Sequence, residues 1–210
     1  MVTDSKEKIL TTAIEVFSQK GFHGVRMDEI AAKAGINKAM IYYYFSTKEN
    51  LYHDLLKRVL WQAFDRLTQV FDQIVTADLT PEEKIRRIAQ AQFDNFFLNI
   101  DHAKIVMEAI VGEPGEVHRL MDEYVNQSGD NVVERILGYI ENCIAGGVFR
   151  DVNAKHFFIS MIGMNLSYFM YQPIAQIFFN MNIHDELPFL QERRDHVVDL
   201  LLKGLLAREK

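Results

Sequence analysis

Apolar positions recur at three- and four-residue intervals through almost the whole chain, the period of amphipathic helices. Ile9, Leu10, Ala13, Ile14 and Phe17 form one stripe, with Asp4-x-x-Glu7 as a capping pattern that opens it and Lys20-Gly21 as its close. Met27, Ile30, Ala31 and Ala34 make a second stripe on a short helix stopped by Gly35. A third short helix starts after Asn37, a good N-cap, and buries Ile41 and Phe45. Ser46-Thr47-Lys48-Glu49 is a further capping box, opening a long helix to about Val75. Thr80-Pro81-Glu82-Glu83, with proline at the first helical position, leads a helix to about Ile100. Beyond it the pattern predicts a short helix over Asp101–Val111 and a long one over Glu116–Ala145, irregular at Ser128-Gly129. Two more follow over Ala154–Asn180 and Pro188–Ala207.

No internal repeat, low-complexity tract or strand pattern interrupts this, and 4 prolines with 11 glycines are too little turn punctuation for a sandwich or barrel. The predicted fold is all-α, with about nine helices. Its first three form a head over residues 1–50, and residues 51–210 form a larger helical body.

Charge sharpens the division. The chain carries a net −6, yet residues 1–50 hold seven Lys/Arg against six Asp/Glu, leaving 16 against 23 for the rest. A near-neutral head on an acidic body suits a small, local anion-facing patch and argues against indiscriminate nucleic-acid coating. The single cysteine, Cys143, allows neither an intrachain disulfide nor a cysteine-based metal site, which fits a reducing, cytoplasmic setting. The first twenty residues lack the apolar core of a secretory signal. Phe157 to Asn182 carries no charged side chain and is long enough to cross a bilayer. Asn165, Gln172, Pro173, Gln176, Asn180 and Asn182 interrupt it, and clustered basic flanks are missing, so it reads as a protein–protein seam rather than a membrane span.

Catalytic constellations are not found. There is no Glu-x-x-His pair, and the seven histidines show no metal-ligand spacing. Cys143, among Tyr139, Ile140 and Ile144, reads as a small buried hydrophobe. Neither an enzyme nor a metal or cofactor is expected.

The informative stretch is residues 21–51. Two short helices joined by Ala34-Gly35-Ile36-Asn37 outline a helix-turn-helix, whose second helix can enter a DNA major groove. With Ile41 and Phe45 inward, that helix presents Lys38, Ala39, Met40, Tyr42, Tyr43 and Tyr44, and Lys48 opens the next helix. A small residue permits close backbone approach, and tyrosine hydroxyls and lysine ammonium groups suit phosphates and base edges. The same geometry also occurs in packing units, so periodicity alone leaves both readings open.

The order of residues from Gly21 to Leu51 goes further. The turn Ile30-Ala31…Ala34-Gly35, the helix end Tyr42-Tyr43-Tyr44-Phe45 and the opening Lys48-Glu49-Asn50-Leu51 closely resemble the DNA-binding head of the TetR family of transcriptional regulators. The resemblance covers about the first quarter of the chain. It implies a phosphate contact at Tyr42, a contact set of Lys38, Ala39, Met40, Tyr43, Tyr44 and Lys48, a double-stranded DNA operator, a small-molecule effector and a homodimer. Three positions depart from the family pattern. Arg26 stands where a capping Thr or Ser is usual, Asn37 where Ser often precedes the lysine, and Met40 in place of the common Thr. Arg26 and Asn37 remain in the expected DNA-contact set, Arg26 as a flexible charge for a phosphate, and Met40 offers apolar contact.

The body is rich in aromatic residues and methionine. Trp61, Phe64, Phe93, Phe97, Met107, Met121, Tyr124 and Tyr168, with Asn165 and Gln92 as polar contacts, are individually ordinary core but together suit an apolar cavity. The implied effector is neutral or amphipathic, with a long apolar part. Ser160, Gly163 and Ser167 form a small-residue stripe flanked by Tyr171, and Val197, Leu201 and Leu205 repeat on the last helix. The resemblance makes these two helices the dimer seam, a four-helix bundle about a two-fold axis. The expected function is a cytoplasmic regulator, a repressor released by its effector. The alternative is a helical carrier whose head does not bind DNA.

Overall fold

The computed structural model describes residues 2–171, 174, 177, 178 and 187–206, without the side chains of 2–4, 187 and 188. Ten helices have described bounds: α1 Val2–Gly24, α2 Met27–Ala34, α3 Lys38–Phe45, α4 Lys48–Thr76, α5 Pro81–Leu98, α6 Ile100–Gly112, α7 Pro114–Ser128, α8 Val132–Ala145, α9 Ala154–Met170 and α10 Leu187–Leu205. An isolated antiparallel bridge between Phe149 and Leu206 is the sole extended pairing among the described residues. The fold is all-α.

Local chemistry sets several helix starts. Thr80 Oγ1 accepts from Glu83 N at 3.2 Å ahead of Pro81, and the Asn131 and Asn153 amides accept from Glu134 N (3.3 Å) and His156 N (3.0 Å). The cap of α4 is Thr47, whose Oγ1 accepts from Asn50 N at 3.2 Å, one residue later than the expected box at Ser46. Helix α1 begins ahead of Asp4, so Asp4-x-x-Glu7 does not open it; Glu7 instead forms a two-point pair with the Arg58 guanidinium on α4. The helix expected over 116–145 is two. Gly129 takes a left-handed conformation (φ 66°, ψ 11°), its N–H closes on Val125 O, and Asn131 caps a fresh start. The ends predicted at Asn180 and Ala207 lie outside the described residues.

The chain forms two compact units, Met1–Phe64 with Asn99–Asp130, and Asp65–Leu98 with Asn131–Lys210. Within the first unit α6 and α7 pack with the head helices. The first unit is centred on fully buried Ile9, Phe17, Ile30, Ile41, Leu51 and Leu55, joined by Ile105 of α6 and Leu120 of α7. The second is centred on Ile85, Ile88, Ile136, Ile140, Met161 and Val197. Each such side chain contributes roughly 1.5–3 kcal/mol of burial free energy. Among the described residues no helix is long and apolar enough to cross a membrane, and no three His, Cys, Asp or Glu side chains group as a metal site.

Candidate nucleic-acid interface and the body

The turn between α2 and α3 is built by three residues. Gly35 sits at φ 62°, ψ 40°, the left-handed region that a Cβ disfavours, and its N–H returns to Ala32 O at 3.1 Å. Ile36 N follows to Ala31 O at 3.0 Å, and its half-buried side chain packs on the head core. Asn37 Oδ1 then accepts from Ala39 N at 2.8 Å and starts α3.

On α3, Ile41 and Phe45 are buried one turn apart, and the opposite face is free. Lys38 and Ala39 are exposed, Met40 is half-buried, and Tyr42 and Tyr43 are 41% and 80% exposed. Tyr44 is half-buried against the core, edge-on to Tyr43 at 5.2 Å. The structure thus brings Lys38, Ala39, Met40, Tyr42 and Tyr43 to one surface and gives Tyr44 a share in packing.

Charges around that surface are only partly committed. Lys38 Nζ lies 2.6 Å from Asp28 Oδ2, and this hydrogen bond holds the ammonium above its ordinary pKa, so it is a full cation at neutral pH. Both partners are exposed, and such a pair yields readily to a phosphate. Arg26 precedes α2 in an extended conformation; its carbonyl accepts from Glu29 N, but its side chain caps nothing and has no partner among the described residues. Lys48 differs from expectation. Its Nζ donates to Phe22 O (2.9 Å) and Val25 O (3.2 Å) and lies 4.4 Å over the Phe22 ring. Two of its three N–H groups therefore tie the α1–α2 link to α4, and one is left for a phosphate.

Sequence reasoning missed Glu108. Helix α1 breaks at Gly21 (φ 68°, ψ 171°), and the freed Phe22 N–H donates to Glu108 Oε1 of α6 at 2.8 Å. Nothing in the spacing marks Glu108; only the glycine break signals that a backbone donor there needs a partner. Ion pairs Lys20–Glu29 and Lys33–Glu15 (3.0 Å) brace α2 on α1.

The nine residues expected to line a cavity divide between the units. In the first, Tyr124 meets Trp61 at 5.8 Å and Phe64 at 5.2 Å between ring centroids, and Trp61 Nε1 donates to Leu120 O at 3.3 Å. Met107 and Met121 are half-buried in the same unit. In the second, Phe93 is buried and meets Tyr168 at 6.4 Å, Phe97 is half-buried, and Asn165 is fully buried with Nδ2 donating to Ala89 O (3.2 Å) and Gln92 Oε1 (2.9 Å). A separate open cleft of about 520 Å³, lined by Glu141, Ile144, Ala145 and residues 151–155, includes none of the nine.

The expected dimer seam needs correction on the last helix. Val197, Leu201 and Leu205 are buried inside the second unit (0, 5 and 0% exposed), so they have no surface to offer a partner. Their four-residue spacing marks the inward stripe of α10. On α9 the expected stripe does face out: Ser160 and Gly163 are exposed, Tyr171 is 60% exposed, and Ser167 is half-buried with Oγ donating to Met164 O. Ile159, Met170, Ile174, Ile177 and Phe178 are exposed as well, and so, among the described residues of α10, is Leu200.

Comparison with known proteins agrees with this architecture. Residues 9–55 match the family model of bacterial regulatory proteins of the tetR family, and residues 78–210 match the tetracycline repressor-like C-terminal domain. The HTH-type transcriptional regulator RutR of Escherichia coli is 26% identical over 215 aligned positions, covering 99% of this chain and 93% of RutR. The HTH-type transcriptional repressor NicS of Pseudomonas putida is 25% identical, covering 96% and 92%. The structure of AibR in complex with isovaleryl coenzyme A and operator DNA superposes with a TM-score of 0.68 at 20% identity, over 94% of this chain and 98% of AibR. With a head that presents α3 as these residues do and family models spanning most of its length, the chain belongs to the TetR family of DNA-binding transcriptional regulators.

Proposed function

We propose that the protein is a cytoplasmic, homodimeric repressor, released from a near-palindromic operator by a small apolar or amphipathic effector, and that it is not an enzyme. The observation that carries this reading is the division of α3 into a buried face, Ile41 and Phe45, and an open one, Lys38, Ala39, Met40, Tyr42 and Tyr43. Two such helices in one dimer reach successive major grooves if they stand about 34–36 Å apart. Arg26, Lys38 and Lys48 supply phosphate contacts, Tyr42 and Tyr43 supply hydroxyls, and Met40 offers apolar contact to a thymine methyl. Exposed Ile159, Ser160, Gly163 and Tyr171 support a seam through α9. A relative named as a repressor supports repression, and a neighbour in complex with an acyl thioester and operator DNA supports a fold that takes both a ligand and DNA. Release requires the effector to bind more tightly to the conformation that leaves DNA, by as much as the operator favours the other.

The test is selection from a random duplex library at low salt, using protein shown by sedimentation to be a folded dimer. A two-fold-symmetric motif is expected, with binding lost in Tyr42→Ala and Lys38→Ala. No enriched motif would sink the proposal and favour a helical carrier whose head does not bind DNA.

A further inference from the structure

The second unit contains a polar site in an aromatic setting that its described residues leave half satisfied. Asn165 is completely buried. Its Nδ2 donates to Ala89 O and Gln92 Oε1, which fixes the amide, since turning it over would set its oxygen against the Ala89 carbonyl. Asn165 Oδ1 is thereby left buried with no donor. In the same turn of α9 the carbonyl of Met164 accepts from a guanidinium nitrogen of Arg193, on α10, at 3.3 Å, and the Arg193 guanidinium lies 5.9 Å from the Tyr168 ring centre. Arg193 Nε is buried without an acceptor. Among the described residues no carboxylate pairs with Arg193. The neighbouring Arg194, by contrast, reaches both Asp94 and Asp195 at 3.3 Å. Burial draws the Arg193 pKa below its ordinary value. Phe93, Phe169 and Phe189 complete the surroundings.

Among the described residues Arg193, half-buried, has no counter-ion and the fully buried Asn165 Oδ1 has no donor, and both cost stability. A bound molecule that brings an anion and a hydrogen-bond donor would relieve both costs. We infer that the effector is an organic anion: Arg193 binds its carboxylate, Asn165 Oδ1 accepts from a hydroxyl or N–H on the same molecule, and the aromatic rings take its apolar remainder. The inference rests on the proposed response to an effector and makes the amphipathic ligand an acid.

The test uses the full chain, Arg193→Met, Arg193→Lys and a matched set of octanoate, 3-hydroxyoctanoate, octanol and octylamine, read by thermal midpoint and by calorimetric titration. Without ligand, Arg193→Met is expected to keep or raise the midpoint, because it removes an uncompensated charge; an arginine that serves the fold would give a fall. Octanoate is expected to bind the unaltered protein about ten-fold or more tighter than octanol, the 3-hydroxy acid tighter still, and both gains are lost in Arg193→Met and partly retained in Arg193→Lys. A lowered midpoint in Arg193→Met overturns the inference. So does a carboxylate that binds no better than the alcohol, absence of binding included. Operator selection with the same preparation tests the regulatory reading separately: acid binding through Arg193 without DNA binding leaves the site and removes the regulator.

Discussion

Replacing Gly21 by alanine tests whether the head is held by the contact between α1 and α6. Gly21 has φ 68° and ψ 171°, a conformation that side chains rarely adopt, at a cost of about 1–3 kcal/mol. An added Cβ would stand 2.8 Å from Glu108 Oε1, too close for any real contact, so the carboxylate must withdraw from the Phe22 N–H that it accepts. Losing a hydrogen bond to a charged group costs a further ~1.5–3 kcal/mol. Gly21→Ala should therefore lower stability by about 2.5–6 kcal/mol, a large share of the ~5–15 kcal/mol typical of a whole protein. Urea unfolding of the four proteins in a double-mutant cycle with Glu108→Ala, at one fixed protomer concentration, separates the two parts. With Glu108 removed there is no clash and no bond left to lose, so Gly21→Ala should then cost only its backbone share of ~1–3 kcal/mol. Equal costs in both backgrounds, or a cost below about 1 kcal/mol in the first, would refute the coupling.

Three further outcomes follow from the same geometry. Gly163→Ala adds a methyl group on an exposed helical position with nothing within 4 Å. It should raise helix stability in an isolated protomer by roughly 0.5–1 kcal/mol yet weaken dimerisation if α9 is the seam, so an unchanged dimer dissociation constant in sedimentation would exclude that seam. Leu201→Ala should cost ~2–5 kcal/mol by urea melt at every protomer concentration, as a core truncation does; an effect confined to dilute protein would restore Leu201 to the interface. Arg119 holds the Glu116 carboxyl below its ordinary pKa, with help from His53, and Arg58 does the same for Glu7. A depressed carboxyl stabilises above its unfolded pKa near 4.3, and that stability is lost as pH falls through the folded value. Thermal midpoints should thus fall below about pH 4.3, less steeply in Glu116→Gln; parallel acid limbs would contradict the pairing.

What could be read in the sequence was what depends on near neighbours in the chain. Asn37, Thr80 and Gly35 act within four residues of themselves, and their helix ends fell where the residues placed them. The face of α3 was legible for the same reason, since Ile41 and Phe45 are one turn apart and fix which way Lys38, Tyr42 and Tyr43 must point. Gly129 shows the limit of periodicity. The apolar stripe runs on across it, so the pattern reads one helix, whereas a single left-handed residue makes two. The errors that matter concern partners distant in sequence. A stripe such as Val197, Leu201 and Leu205 says only that one face of α10 is apolar; whether that face meets its own chain or another is a tertiary fact, and here its own chain covers it. The local pattern around Lys48 marks it as a phosphate contact and is silent on its partners in the fold, carbonyls 26 and 23 residues away. Arg193 and Arg194 make the same point together. Adjacent in sequence and alike in chemistry, they differ only in what the fold puts opposite them: two carboxylates for one, an aromatic ring and a single backbone carbonyl for the other. Pairing, not residue type, decides which charge is free to recognise something else, and pairing is what a linear pattern does not encode.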